Sequence, residues 1–434
     1  MGVINVLGLA VVVGVAGAAC TKTVNECNSD SDCKDVAYPF CDVNGEFGPS
    51  GGAKDVCTIV PPDCPIERCG CSPGATTCTG STLSVCNQDG KGTTPTTCSL
   101  GCASAMDRCL TFTPLNGLGA ALLAAASKPA VILPASVTID TSTGVVKDSG
   151  GAAVPFDSIV LTQAGAPDIR AYIALTIDMT GVVVTGSKAV AFVATGDITL
   201  HGLVDISANG TVGGAGAMDS GSCNGSVATT GGGGGNGTDG GAGAASTDIS
   251  GIHPGGAGGK TVMNYEPLFG GCRGGSTNGT GGAGGGAMQM VSGTRISFDA
   301  SAMIDLGGGG AGGDAIGGGA GGTIILESPV VAINGAVVAN GGAGGACGTT
   351  AADGTRTTAV AIGSSCGTNS SSRAGSGGTR TTAATGGVTL TPTGNAGGGG
   401  AVGRLLVRTQ DGNYAAGGSS LVSALVVTQQ LPTE

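Results

Sequence analysis

GGGAGGTIILESPVVAINGAVVANGGAGG, Gly317 to Gly345, sets two short apolar runs between two glycine runs. The apolar runs are Thr323–Glu327 and Val330–Val338. Ile324 and Leu326, then Val331 and Ile333, then Val337 alternate with their neighbours, which is the period of a strand that buries one face. The same shape occurs as GGGAMQMVSGTRISFDASAMIDLGGGG, Gly284–Gly310, with Ile296, Phe298, Ile304 and Leu306 in matching places. It occurs again as KAVAFVATGDITLHGLVDISANG, Lys188–Gly210, with Ile198, Leu200, Val204 and Ile206. A partial copy, GGGGAVGRLLVRT, starts at Gly397.

Each unit reads as strand, turn, strand and glycine. Runs this short suit stacked parallel strands, in which each rung buries its inward residues against the next. The units begin near residues 188, 286, 323 and 402, so insertions of unequal length separate them. Gly210–Gly285 and Gly341–Gly400 are long, and Gly307–Gly322 is short. Each long insertion holds one cysteine pair, and the short one holds none. The pattern predicts two disulfides, Cys223 with Cys272 and Cys347 with Cys366, each closing its own loop.

The chain has 434 residues, of which 89 are glycine, far above the usual share of about 7%. Aromatics make up 3% and tryptophan is absent, so Ala, Val, Ile and Leu must build the core. No Gly-X-Y period with high proline is present, which excludes collagen. The formal net charge is −11 and no basic run occurs, so nucleic acid is not an expected partner.

Residues 1–19, MGVINVLGLAVVVGVAGAA, form one apolar run of signal-peptide length, and Cys20 follows Gly17-Ala18-Ala19. The junction resembles the lipobox of bacterial lipoproteins, which implies cleavage before Cys20 and a membrane anchor through its lipidated thiol. It departs from that pattern in lacking a basic residue before the apolar run and in having Gly17 where leucine is usual. The alternatives are an ordinary cleaved signal with Cys20 in a disulfide, or a short membrane helix. Parity favours lipidation, because removing Cys20 from 17 cysteines leaves an even number to pair.

Residues 20–26 read as a tether. Residues 27–110 read as disulfide modules holding Cys27, Cys33, Cys41 and Cys57, then, after Pro61-Pro62, Cys64, Cys69, Cys71, Cys78, Cys86, Cys98, Cys102 and Cys109. Four and eight are both even, so each group can close on itself, with a connectivity that spacing alone leaves open. Such polar segments bury too little apolar area to fold without bridges, and this density points to an oxidising compartment. Cys69-Gly-Cys71 and Cys98-x3-Cys102 have metal-like spacings, but no paired CxxC motifs and no histidine accompany them, so no metal site is expected. The modules serve either as a protease-resistant spacer or as a protein-binding surface.

Residues 111–187 change character. Leu115–Lys128 is rich in Ala and Leu and stops before Pro129, which predicts a short helix capping the first rungs. Short β-branched runs follow, among them Val131–Leu133, Val137–Asp140 and Ala171–Ile177.

Taken together, these features resemble exported bacterial surface proteins that join a lipobox, Cys-rich repeats and a Gly-rich, right-handed parallel β-helix of the pectin-lyase type. The expected fold is mainly β: a single-stranded parallel β-helix or solenoid over 188–434, with insertions at 210–285 and 341–400, preceded by a small disulfide-rich segment. Glycine runs such as Gly231–Ala245 have three readings. They can be flexible loops, polyproline-II-like strands packed backbone to backbone, or nests for anions or calcium. The second would resemble the glycine-rich tips of some phage adhesins and certain antifreeze proteins. The regular calcium nonapeptide of other β-solenoids is not matched.

Catalytic signals are sparse. His201 falls in a turn, His253 precedes Pro254 inside an insertion, and no GxSxG elbow occurs. Asp205 and Asp305 occupy equivalent places in LVDIS and MIDLG, so on neighbouring rungs they would stack and repel. The third copy has Val338-Ala339 there, which ends the ladder. Asp197, Asp299 and Arg295 are the other charged residues near strand ends. The expected function is a non-enzymatic, lipid-anchored surface protein of the outer membrane or cell surface. Its β-helix would do structural or adhesive work, with a glycan or protein ligand and no cofactor. The alternative is a polysaccharide lyase or hydrolase, which needs two carboxylates converging with a basic residue in an outward groove. A third reading, an ice- or mineral-facing surface, would need a regular threonine array, and the threonines of 355–393 show no fixed period.

Overall fold

The computed structural model describes residues 33, 40–42, 56–58, 71–88, 90, 92–103, 108–248, 251–277, 280–366, 372–388, 395–418 and 420–433. The chain divides at Cys109/Leu110 into two units. Cys20, Cys27, Cys64 and Cys69, with the proposed signal and tether, lie outside the described residues.

In the N-terminal unit β1 (Phe40–Asp42) pairs antiparallel with β2 (Val56–Thr58), placing Cys41 opposite Cys57. β3 (Thr76–Thr79), β4 (Thr82–Cys86) and β5 (Thr93–Thr97) form an antiparallel sheet, and β6 (Cys102–Ala103) pairs with β7 (Arg108–Cys109). Disulfides join Cys71 to Cys86, Cys78 to Cys102 and Cys98 to Cys109. Each bridge contributes roughly 2–4 kcal/mol to a unit whose described residues bury few apolar side chains besides cysteine. Cys98 and Cys102 sit in different bridges and flank the turn between β5 and β6, so their spacing belongs to that turn.

The second unit opens with α1 (Gly119–Ala125), followed by β8 (Val131–Leu133), β9 (Val137–Asp140), β10 (Val145–Lys147), β11 (Ser158–Leu161) and β12 (Ile169–Ala174). Next come β13 (Ile177–Met179), β14 (Val182–Thr185), β15 (Ala189–Ala194), β16 (Ile198–Leu200) and β17 (Leu203–Asp205). The hairpin β18 (Ser246–Asp248) and β19 (Gly251–His253) interrupts before β20 (Ala287–Ser292), β21 (Arg295–Phe298), β22 (Met303–Asp305) and β23 (Thr323–Glu327). The last elements are β24 (Val330–Ile333), β25 (Ala336–Val338), β26 (Arg404–Thr409), β27 (Ala415–Ala416), β28 (Leu421–Val422) and β29 (Leu425–Gln430).

These strands overturn the expected single-stranded solenoid. They gather into three large sheets, of order β10-β9-β14-β17-β22-β25-β28 (first), β11-β12-β15-β20-β23-β26-β29 (second) and β27-β24-β21-β16-β13-β8 (third). Two sheets have seven strands and one has six, and the pairing is mixed. Interior pairs are parallel, while β9/β10 and β11/β12 are antiparallel. The chain visits the third, first and second sheets in rotation, so each circuit supplies three strands rather than the two read from the sequence. The extra corner was hidden inside Val330–Val338, which breaks at Asn334–Gly335 into β24 and β25. A Cβ at Gly335 would meet the Ala302 carbonyl at 2.1 Å, so only glycine fits that corner.

One core fills the space between the sheets. Ile177, Met179, Ile198, Leu200, Phe298, Ile324, Leu326, Ile333 and Leu405 belong to it. At the first circuit Phe156 covers it, packing on Tyr172 and Phe192 with ring centroids 5.1 and 6.4 Å away. Each fully buried aliphatic or aromatic side chain contributes roughly 1.5–3 kcal/mol. Alternation in the sequence implied one buried face, yet every residue of β15, β20, β23 and β26 is buried. The outer face of the second sheet is covered too. α1 packs on β12 and β15, and segments 112–118 and 262–269 cross the later strands.

The glycine insertions share one corner. Residues 206–286, 306–322 and 339–403 each leave the first sheet after β17, β22 or β25 and return to the second sheet at β20, β23 or β26. They therefore pack together. Gly317 and Ala320 donate backbone hydrogen bonds to the carbonyls of Gly275 and Cys272; Gly318 and Gly321 to Gly398 and Ala401; Gly319 and Gly322 to Gly309 and Leu306. These bonds measure 2.8–3.0 Å and their direction repeats every third residue, the period of polyproline II. Gly231–Gly235 behave alike, with Gly231 and Gly234 donating to Ala315 and Gly318, and Gly232 and Gly235 to Ser226 and Cys223. The flexible-loop reading fails here, because these backbones are buried and bonded on three sides. Glycine is required by proximity: a Cβ on Gly234 would lie 2.0 Å from the Cys272 carbonyl, and one on Gly318 2.3 Å from that of Gly342.

Candidate functional site

The parallel pairing of β17 with β22 sets Asp205 directly opposite Asp305. The next residue in the row is Val338, on β25, so the carboxylate ladder has two members. Both side chains stand at strand ends and fold back on the following turn. Asp205 Oδ1 accepts from the Ser207 amide (3.0 Å) and hydroxyl (2.6 Å), and Asp305 Oδ1 accepts from the Gly307 amide (2.9 Å). Their other oxygens face Arg356, which the third insertion carries back to this corner. Arg356 Nη2 donates to Asp205 Oδ2 and Nε to Asp305 Oδ2, both at 2.6 Å.

Like charges one strand apart repel, and the guanidinium resolves the conflict. The Asp305 side chain is 3% exposed, Asp205 22% and Arg356 48%. Burial pushes the Asp305 carboxyl above its ordinary value, against the opposing pull of Arg356. The hydrogen bond to Asp305 raises Arg356 in turn. Asp353, three residues before Arg356, accepts from the Gly210 and Gly310 amides at 2.9 and 2.7 Å, tying three insertions at their base. These groups line a cavity of about 520 Å³ with Val183, Thr185, Ser207 and Asn209. Two carboxylates and one cation thus converge in a cleft, with each carboxylate oxygen of the pair already accepting a hydrogen bond.

The other strand-end charges lie elsewhere. His201 sits between two circuits, its Nδ1 2.7 Å from Asp299 Oδ2 and its Nε2 3.5 Å from Asp178 Oδ1. The hydrogen bond with Asp299, then the charge of Asp178, raises the His201 pKa, and His201 lowers that of Asp299. The Ser301 hydroxyl donates to Asp299 and to the His201 carbonyl, so it is not placed as a nucleophile against the ring. Asp197 accepts from the Thr294 hydroxyl at 2.5 Å, and Arg295 is exposed. His253 lies in the β18–β19 hairpin. Among the described residues, no group of three or more His, Cys, Asp or Glu is placed to hold a metal ion.

The structure joins Cys223 to Cys272 and Cys347 to Cys366, one bridge in each long insertion. Cys33 and Cys41 are also disulfide-bonded. So many bridges place the chain in the exported, non-cytoplasmic class.

Arg356 was not singled out in the sequence, since a lone arginine in an Ala/Thr-rich insertion carries no signal of its partners. The same holds for Arg404, Glu327 and Arg408. Arg404 is 2% exposed; it donates to the carbonyls of Val262 and Asn264 and lies 4.7 Å from the Tyr265 ring centre. Burial pushes its pKa down to about 10, so it stays charged at neutral pH while it pins segment 262–269. Comparison of the chain with family models, curated proteins and solved structures finds no match.

Proposed function

We propose that this is a non-enzymatic surface protein, tethered to the cell envelope through a lipid on Cys20, that presents its glycine layer for structural or adhesive contact. The observation that carries the reading is the state of the Asp205–Asp305 pair. Both carboxylates are held by Arg356 and by their own turns, which suits a structural joint. The glycine layer supports the same reading. Its backbones are bonded to one another across all three insertions, which makes the layer stiff. Disulfides brace both long insertions. A braced layer of this kind suits contact with a glycan or protein at the surface.

Palmitate labelling of the wild type and of Cys20→Ser tests the anchor: labelling lost in the variant supports it, and equal labelling refutes it. A glycan array with the purified protein tests the adhesive role.

One observation favours a second reading, a polysaccharide-active enzyme. Asp205, Asp305 and Arg356 converge at one cleft, and the half-exposed Arg356 is the member a substrate could displace. A polysaccharide-degradation screen separates the two. Turnover by the wild type that is lost in Asp305→Asn would overturn the non-enzymatic reading.

A further inference from the structure

Segment 110–118 follows an unusual course. It leaves the N-terminal unit at Cys109, yet it does not go to the first circuit. Phe112 pairs with Thr433, beyond β29 and therefore beside the last circuit. The Leu115 amide then donates to both oxygens of Glu327, on β23, at 3.2 Å. The Leu115 carbonyl accepts from Gln289 Nε2, on β20, at 3.3 Å, and Asn116 Nδ2 donates to Gln289 Oε1 at 2.9 Å. α1 follows, on β15 and β12, and only then does the chain begin β8. The segment thus runs across the outer face of the second sheet from the last circuit to the first.

The groups beneath it are built for it. Glu327 is fully buried and pairs with Arg408 on β26, itself 6% exposed, and Gln289 is fully buried. Burial of an ion pair carries a desolvation cost that its mutual attraction barely offsets. Here the Leu115 amide and Gln289 supply the remaining hydrogen bonds. Segment 262–269 reinforces the crossing: Asn116 donates its amide to Glu266 at 2.8 Å, Arg404 holds Val262 and Asn264, and Gln163, after β11, exchanges hydrogen bonds with Leu268.

A stack in which each circuit touches only its neighbours frays from its ends. We infer that segment 110–118 is a clasp that ties the last three circuits to the first, so that the stack opens as one unit and not from β29 inward. In a tethered protein, the subject of the proposed function on which this consequence rests, a pull arriving from the N-terminal unit meets the last circuits before the first.

Hydrogen exchange of the full chain, resolved by mass spectrometry, tests the clasp without reference to any anchor, so its outcome is independent of the palmitate result. In the wild type, β23, β26 and β29 are protected as strongly as β12 and β15. In Glu327→Gln, and in Asn116→Ala, β26 and β29 exchange at least about tenfold faster while β12 and β15 are unchanged. Equal acceleration of all circuits, or none, would overturn the inference. Asn116→Ala removes clasp bonds without stranding a buried charge, so it remains informative if Glu327→Gln does not fold.

Discussion

Asp205 and Asp305 face each other on adjacent parallel strands, and the guanidinium of Arg356, some 50 residues further along the chain than Asp305, closes over both carboxylates. The pair joins the third insertion to two circuits of the stack. Removing the cation leaves Asp305 buried beside a second negative charge. Arg356→Ala should therefore destabilise the body by about 2 kcal/mol, below the 3–5 of a fully buried pair because Arg356 and Asp205 are partly solvated. Urea denaturation measures this. Arg356→Ala combined with Asp305→Asn should recover part of the loss, and if it recovers none the joint is not electrostatic.

His201 gives a pH dependence of opposite sense to that of a salt-bridged carboxylate. Its folded pKa lies above the ordinary value of 6.5, raised first by the Asp299 hydrogen bond. Its contribution is therefore fully present below pH 6.5 and disappears as pH rises through the folded value. The ring is 40% exposed, so the effect is that of a surface pair, about 0.2–1 kcal/mol. Melting curves between pH 6 and 8 should show a decline that His201→Gln abolishes. An equal decline in the variant would assign it to another group.

The glycine layer should reject side chains wherever backbones touch. Gly318→Ala forces a Cβ against the Gly342 carbonyl at 2.3 Å and should cost about 3 kcal/mol or prevent folding. Gly418→Ala is the control: nothing lies within 4 Å of its Cβ, and it should be neutral or slightly stabilising. Thermal melts compare the two, and similar melting temperatures would show that the layer tolerates rearrangement.

The bridge between Cys347 and Cys366 spans 19 residues and that between Cys223 and Cys272 spans 49. On the chain-entropy account, each loss costs about 3–4 kcal/mol. For Cys347→Ser with Cys366→Ser the damage should stay in the third insertion. Limited proteolysis should cut near residues 347–366 first and leave the sheets intact. Simultaneous loss of the sheets would mean that this insertion supports the core.

The sequence alone marked several of the strands and the cysteine pair of each long insertion. Period-two runs marked Ile198–Leu200, Ile296–Phe298 and Ile324–Leu326, because alternation is a local property of a pleated backbone. Matching places in LVDIS and MIDLG put Asp205 and Asp305 in one row, because equivalent positions of repeated units align when the units stack. One cysteine pair per long insertion indicated which thiols could meet. Only the tertiary structure decided the rest. A third corner at Asn334–Gly335 turned the expected solenoid into three large mixed sheets. Glycine has no side chain to pattern, so its sequence could not say whether a run would hang free or pack. The run Gly317–Gly322 packs because three insertions leave one corner and meet there. Arg356, Arg404 and Arg408 find their partners across the fold, as do Leu115 and Glu327, 212 residues apart. A sequence records spacing along the chain, and these contacts exist only where circuits and insertions are brought side by side.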